Sequence, residues 1–220
     1  MKTSLLVCMS VLALASRALP QSAPAESAAK TAAATASTTL TKEERTRAID
    51  YLKQTQKDFL AALEGVSEEQ WKFKAAPERW SIAEAAEHIA VTEETIWHLV
   101  KDKIMKSPAA PEKRAEVAGK DELIPRVIED RSRKAQAPEQ LKPTGRFATR
   151  DELVKHFLDT RRQEIAYLND TTDDLRDHFF DHPLLKTMDG YQWLLLNGAH
   201  GKRHTLQILE VKTDANYPKS

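Results

Sequence analysis

The chain has 220 residues and sets 33 Lys and Arg against 33 Asp and Glu, so no net charge draws it to nucleic acid or to an anionic membrane surface. Its single cysteine, Cys8, excludes an intrachain disulfide. Because Cys8 falls in a stretch expected to be cleaved away, the mature protein is left without a thiol nucleophile.

Residues 1–20 follow the order of a secretory signal peptide: Lys2, an apolar core from Leu5 to Ala15, then the small-residue run Ala13-Leu14-Ala15-Ser16-Arg17-Ala18. The core is too short to span a bilayer as a mature helix, and the expected location is secreted or periplasmic. Cleavage after Ala15, Ala18 or Ala23 fits the pattern. A lipid anchor on Cys8 is the lesser alternative, since Leu6-Val7 lacks the small residue expected before a lipidated cysteine. From Gln21 to Thr39 the chain is almost wholly Ala, Ser, Thr and Pro, with nothing to bury, which predicts a disordered tether over residues 21–40. Residues 41–213 have the size of one domain, and 214–220 form a tail.

The domain opens on Thr41-Lys-Glu-Glu44, a capping box. Ile49, Leu52, Gln56, Phe59, Leu60 and Leu63 then recur at helical spacing until Gly65 ends the first helix. Residues 66–80 mix turn formers with Trp71, Phe73, Pro77 and Trp80 and suit a packed connection. Ser81 and Glu84 form a second capping box, and Ile82, Ala85, Ala86, Ile89, Ile96, Leu99, Val100 and Ile104 make the buried face of the second helix. His88, beside Ile89, stands at the edge of that face. From Ser107 to Arg146, prolines, glycines and charges predict an irregular arm or lid, with a short helical piece at Leu123 to Arg131 whose first turn would hold Pro125. Thr149 and Glu152 open the third helix, which carries Leu153, Phe157, Ile165 and Leu168, with Arg161 and Glu164 at or near its inner stripe. Thr171 to Thr187 reads as a loop or broken helix, because Pro183 disfavours helical geometry at His182 and so spoils the pair His178 and His182. The fourth helix runs from about Asp189 through Trp193, His200, His204 and Ile208 to Val211. Four amphipathic segments without a run of alternating β-branched residues predict an all-α bundle. There is neither a Gly-rich phosphate loop nor a Gly-x-Ser-x-Gly elbow.

His200 and His204, four apart on one helix, can close on a single ion. An i,i+4 histidine pair arises by chance about one time in five at this composition, so the pair needs a third partner to carry weight.

Trp80-Ser81-Ile82 followed by His88, then His182-Pro183, Trp193-Leu194 and His200-x-x-x-His204-x-x-Gln207-Ile208, resembles the DinB-like superfamily. The resemblance implies an up-down-down-up four-helix bundle with a long crossover between the middle helices, and a divalent metal held by His88, His200 and His204. Characterised members include thiol S-transferases and a mycothiol-dependent isomerase. This chain departs from them in its export signal, which places it where such thiols are scarce, and in its irregular, charged segment 107–146.

Three imidazoles suit Zn²⁺, Ni²⁺, Fe²⁺ or Mn²⁺ and leave a coordination position open. Glu84, Asn197 and Gln207, each three to seven residues from a histidine, are the candidates to accept the second ring N–H. Glu84 is also the candidate catalytic proton acceptor, and Trp193 the candidate lining of a pocket. His98, His156, His178 and His182 read as surface or packing residues. Two functions follow: a metal-dependent hydrolase or transferase acting on a small molecule, or a non-catalytic metal- or ligand-binding bundle, in either case able to pair as a homodimer through exposed helix faces.

Overall fold

The computed structural model describes residues 39–219, so the expected signal peptide and most of the expected tether lie outside the described residues. Four long helices, α1 (Lys42–Leu63), α3 (Ile82–His98), α5 (Arg150–Asp170) and α6 (Gly190–Lys212), make up most of the domain, with shorter helices α2 (Glu68–Lys72) and α4 (Lys120–Ile128) in the connections. α6 packs against α1, α3 and α4, while α5 packs against α1 and α3. No helix among the described residues is long and apolar enough to cross a membrane.

Helix starts are set by residues that satisfy the first free N–H groups. Thr41 accepts from the Glu44 N–H at 3.1 Å while the Glu44 carboxylate accepts from the Thr41 N–H at 2.7 Å. The same reciprocal box closes at Ser67 and Gln70, at Ser81 and Glu84, and at Asp189 and Gln192. At Thr149 only half of the expected box forms: its hydroxyl accepts from the Glu152 N–H, but the Glu152 carboxylate takes the Ala148 N–H instead, at 2.9 Å.

The apolar stripes meet in two layers. One gathers Leu52, Ile96, Trp97, Tyr191 and Leu194 with Ile124 of α4. The other gathers Phe59, Ile82, Ala85, Ile89, Phe157 and Ile208, with the Phe59 and Phe157 rings edge to face at 4.7 Å between centroids. Each buried Leu, Ile or Phe side chain contributes roughly 1.5–3 kcal/mol. Between α1 and α6 the approach is so close that a Cβ on Gly198 would lie 2.9 Å from the Tyr51 ring, so a larger residue there would push the two helices apart.

Three expectations need correction. In a fold that is mostly helical, as expected, the stretch read as a loop or broken helix holds an antiparallel hairpin: Phe179–His182 and Lys186–Asp189 pair as β1 and β2, in register Phe179 to Asp189. Its turn follows Pro183, and the His182 ring stabilises it by accepting from the N–H groups of Leu184 (3.2 Å) and Leu185 (3.1 Å) through Nδ1. The second helix does not run on unchanged to Ile104, because Leu99–Ile104 widens into a π-helical turn. The crossover is less irregular than its composition predicts, with 3₁₀ turns at Pro111–Val117 and Glu139–Leu141 on either side of α4. α4 starts at Lys120 after Gly119, whose φ of +77° is a left-handed conformation. Pro125 therefore sits beyond the first turn, where its missing N–H leaves the Asp121 carbonyl without its helical donor. α4 is held in place by packing on α6.

Candidate metal centre

α3 carries His88, and α6 carries His200 and His204. Their start positions are fixed by the boxes at Ser81 and Asp189, which sets where along each helix the rings emerge. The centroids are 4.8 Å apart for His88 and His200, 4.4 Å for His88 and His204, and 4.5 Å for His200 and His204. One ring nitrogen from each lies within 4.8 Å of the others. His88 Nε2 and His200 Nε2 are 3.0 Å apart. Two nitrogens bound to one cation at about 2.1 Å stand roughly 3 to 3.5 Å apart, so this spacing suits shared coordination.

The outer nitrogens decide which way the lone pairs point. His88 Nδ1 lies 2.8 Å from the Leu141 carbonyl, which can only accept, so Nδ1 carries the proton and Nε2 presents its lone pair toward His200. His204 Nδ1 lies 2.8 Å from Gln207 Oε1 and is fixed in the same way when that oxygen faces it. Burial lowers the His88 pKa. It lowers that of His200 well below the usual imidazole range, with His204 and His88 adding to the effect. Burial, then His88, pushes His204 down to about 3. The rings are therefore held neutral, the form that binds metals. His88 is 3% exposed, and His200 is half-buried. The donor set, its spacing and its neutral state fit a divalent cation.

The residues around the rings are partly those expected. Gln207 is placed on His204, and its Oε1 also lies 3.4 Å from Arg131 NH1, whose guanidinium pairs with Glu210 at 2.6 Å. Glu84 is placed elsewhere: its carboxylate takes the Ser81 N–H at 2.8 Å and the Lys74 ammonium at 3.0 Å. Asn197 turns into the bundle, where its amide donates to the Glu93 carbonyl at 3.1 Å and to Glu164. Trp193 stands against Phe180 and His182, with ring centroids 6.0 and 5.5 Å away, and donates its indole N–H to the Phe180 carbonyl at 3.1 Å. His182 is thus tied to the hairpin turn and to Trp193. The aromatic that covers the site is Trp80, 4.8 Å from His88 and 5.9 Å from His204 between centroids. From the sequence Trp80 reads as part of a packed connection, although it lies eight residues, about two helical turns, before His88. The Leu141 carbonyl was missed altogether, since a main-chain acceptor has no residue-type signature.

One surface cavity of about 470 Å³ borders the same end of α6, lined by Glu129, Arg131, Leu206, Leu209, Glu210 and Thr213, with no histidine in its wall.

YuaE of Bacillus subtilis (strain 168), an uncharacterised protein, is 28% identical over 152 residues that cover 68% of this chain and 88% of YuaE. The structure of YfiT from Bacillus subtilis, described as a probable metal-dependent hydrolase with an unusual four-helix bundle topology, superposes with a TM-score of 0.55 at 16% identity, covering 81% of this chain and 91% of YfiT. The family model of the DinB superfamily matches residues 51–208, which include all three histidines, and the chain belongs to that superfamily.

Proposed function

We propose that His88, His200 and His204 hold a divalent cation and that this exported protein uses it as a metal-dependent hydrolase of a small molecule, with group transfer as the variant reaction at the same centre. The observation that carries the reading is the set of three neutral ring nitrogens within 4.8 Å of one another. The description of YfiT as a probable metal-dependent hydrolase favours hydrolysis over transfer. Zn²⁺, Ni²⁺, Fe²⁺ and Mn²⁺ all accept this donor set. We read the four long helices as threaded up-down-down-up, which is supported by contacts of the α1 start with the α6 start (Glu44 with Tyr191) and with the α5 end (Leu168 with Arg45), and of the α3 end with the later half of α5 (Trp97 with Gln163).

A cation bound here would supply Lewis acidity at a coordination position that three protein ligands leave free. The chain does the rest. Leu141 and Gln207 orient the rings, Trp80 shields one flank from water, and the side of half-buried His200 is where a substrate would approach the centre.

Metal analysis of the purified protein should give one divalent ion per chain, and His200→Ala should lose it. A panel of ester, amide and phosphoester substrates, with a thiol-transfer panel beside it, then reads the reaction class. Equal metal content in wild type and His200→Ala would remove the proposal. The second reading is a metal- or ligand-binding bundle whose ion is not catalytic. A wild type that binds the ion and turns over no substrate in either panel would decide for it.

A further inference from the structure

We infer that Glu87, which offers no ligand atom to the three-histidine centre, is the positioning residue that sets the tautomer of His88 and thereby the hold on the cation; this rests on the three-histidine reading. Glu87 immediately precedes His88 on α3 and is 7% exposed. Its carboxylate accepts three consecutive main-chain N–H groups at the end of the crossover, from Thr144 at 2.8 Å, Gly145 at 3.0 Å and Arg146 at 3.1 Å, and the Thr144 hydroxyl at 3.4 Å. Turning successive N–H groups onto one anion needs an alternation of backbone handedness, which Gly145 provides with a φ of +76°.

Three residues before Thr144 is Leu141, whose carbonyl receives the His88 Nδ1–H at 2.8 Å. Pro143 lies between them and narrows the ways in which the short connection can bend. Neighbouring residues of α3 thus grip the crossover at two nearby points, Glu87 through its carboxylate and His88 through its ring. The carboxylate holds the segment down so that the carbonyl meets the ring. Without it, three N–H groups lose their acceptor, the segment lifts, and the His88 proton is free to move to Nε2. A proton on Nε2 occupies the lone pair that faces His200 and takes His88 out of the donor set.

Glu87→Gln is the informative change. The amide keeps the size of the side chain, but its NH₂ group must face one of the main-chain N–H donors, which opposes the grip. With Co²⁺ as probe, affinity from chelator competition is expected to fall about tenfold or more, and the visible absorption of the bound ion to change shape. Glu94→Gln is the control. Glu94 holds the Arg146 side chain, at 2.6 and 3.3 Å, and faces the His156 ring at 3.5 Å; its loss leaves the main-chain bonds to Glu87 in place, so affinity and spectrum should match wild type. Glu87→Gln that lowers the unfolding temperature while leaving Co²⁺ affinity and spectrum at wild-type values would overturn the inference and leave Glu87 a purely structural anchor. Wild type that takes up no Co²⁺, or keeps it in His200→Ala, would instead overturn the three-histidine reading on which it rests. Should Glu87→Gln not fold, the ring nitrogens of metal-free wild type decide the matter by NMR: His88 protonated on Nδ1 supports the inference, and His88 protonated on Nε2 overturns it.

Discussion

Two polar clusters lie inside this helical domain, both involving α3 and α6, and they are built on opposite logic. In the first, Arg161 of α5 donates to both carboxylate oxygens of Glu93, to the Leu52 carbonyl at 2.6 Å and to the Thr55 hydroxyl at 2.9 Å, while Asn197 bridges Glu93 and Glu164. It brings its own counter-charge in Arg161 and is closed in that sense, with Glu164 Oε2 and Asn197 Oδ1 making no hydrogen bond. In the second, three neutral imidazoles turn nitrogens toward a common point and no acidic side chain is bonded to any of them. Ring nitrogens that converge in this way can be completed by a cation from outside, the reading proposed above. The two also touch: Gly201, next to His200, sits over Arg161, with 3.7 Å between the guanidinium and the place a Cβ would occupy. The closed cluster is thus part of the floor on which the open one stands.

The comparison breaks most visibly if the closed cluster loses its cation. Arg161→Met keeps the volume but strands Glu93 and Glu164, both fully buried. Burial and the neighbouring Glu93 already push the Glu164 carboxyl well above the usual carboxylate range. Removing one partner of a buried ion pair costs about 3–5 kcal/mol, and chemical denaturation should show a loss of that size. Adding Glu93→Gln and Glu164→Gln should return much of it, because the stranded charge is then gone.

The open cluster should respond to acid in the metal-free state. The His204 pKa is pushed down to about 3 in the folded protein, against about 6.5 in the unfolded chain. Above pH 6.5 neither state takes up the proton and stability is unaffected. Below pH 6.5 the unfolded chain is protonated and the folded one is not, so the folded state loses about 2 kcal/mol from His204 alone between pH 6.5 and 5. Depressed values at His88 and His200 act in the same direction. Denaturation midpoints of chelator-treated protein across this range measure the loss, and a flat profile would mean that the rings are not buried together.

Gln207→Leu tests how much the outer partner of a ligand is worth. It leaves His204 Nδ1 without its acceptor at 2.8 Å, and loss of such a partner typically costs about tenfold in metal affinity, or ~1.4 kcal/mol. Competition with a chelator reads this directly. Affinity equal to wild type would show that another acceptor replaces Gln207 without cost.

What the sequence revealed and concealed follows from how local each signal is. The helix starts were legible because a cap and its partner are three residues apart, and the pair His200 and His204 because both lie on one face of α6, whereas His88 joined them only through the family resemblance. Gln207 was legible for the same reason as that pair. Asn197 was not, because its place before His200 allows it to face the rings or the bundle interior, and the Glu164 carboxyl and the Glu93 carbonyl take its amide N–H groups inward. The hairpin at Phe179–Asp189 escaped because four residues per strand are too few for an alternating pattern to stand out. The Leu141 carbonyl and the Glu87 grip escaped because their partners lie 53 to 59 residues apart in the chain.

Glu84 is the mildest test and the sharpest on this point, because it had two eligible partners. One turn before His88, it has the spacing of a proton acceptor for that ring; three after Ser81, it has the spacing of a cap. The Ser81 N–H is part of the same rigid turn and is reached at 2.8 Å, whereas His88 Nδ1 is already bonded to Leu141. Local geometry therefore takes Glu84 for the helix start, and Lys74 occupies its other oxygen at 3.0 Å. Glu84→Ala is expected to lower stability by ~0.5–1 kcal/mol through the lost cap and to leave Co²⁺ affinity within twofold of wild type. A tenfold loss of affinity with unchanged stability would return Glu84 to the side of His88 and erase the distinction drawn here between residues that build α3 and residues that aim its histidine.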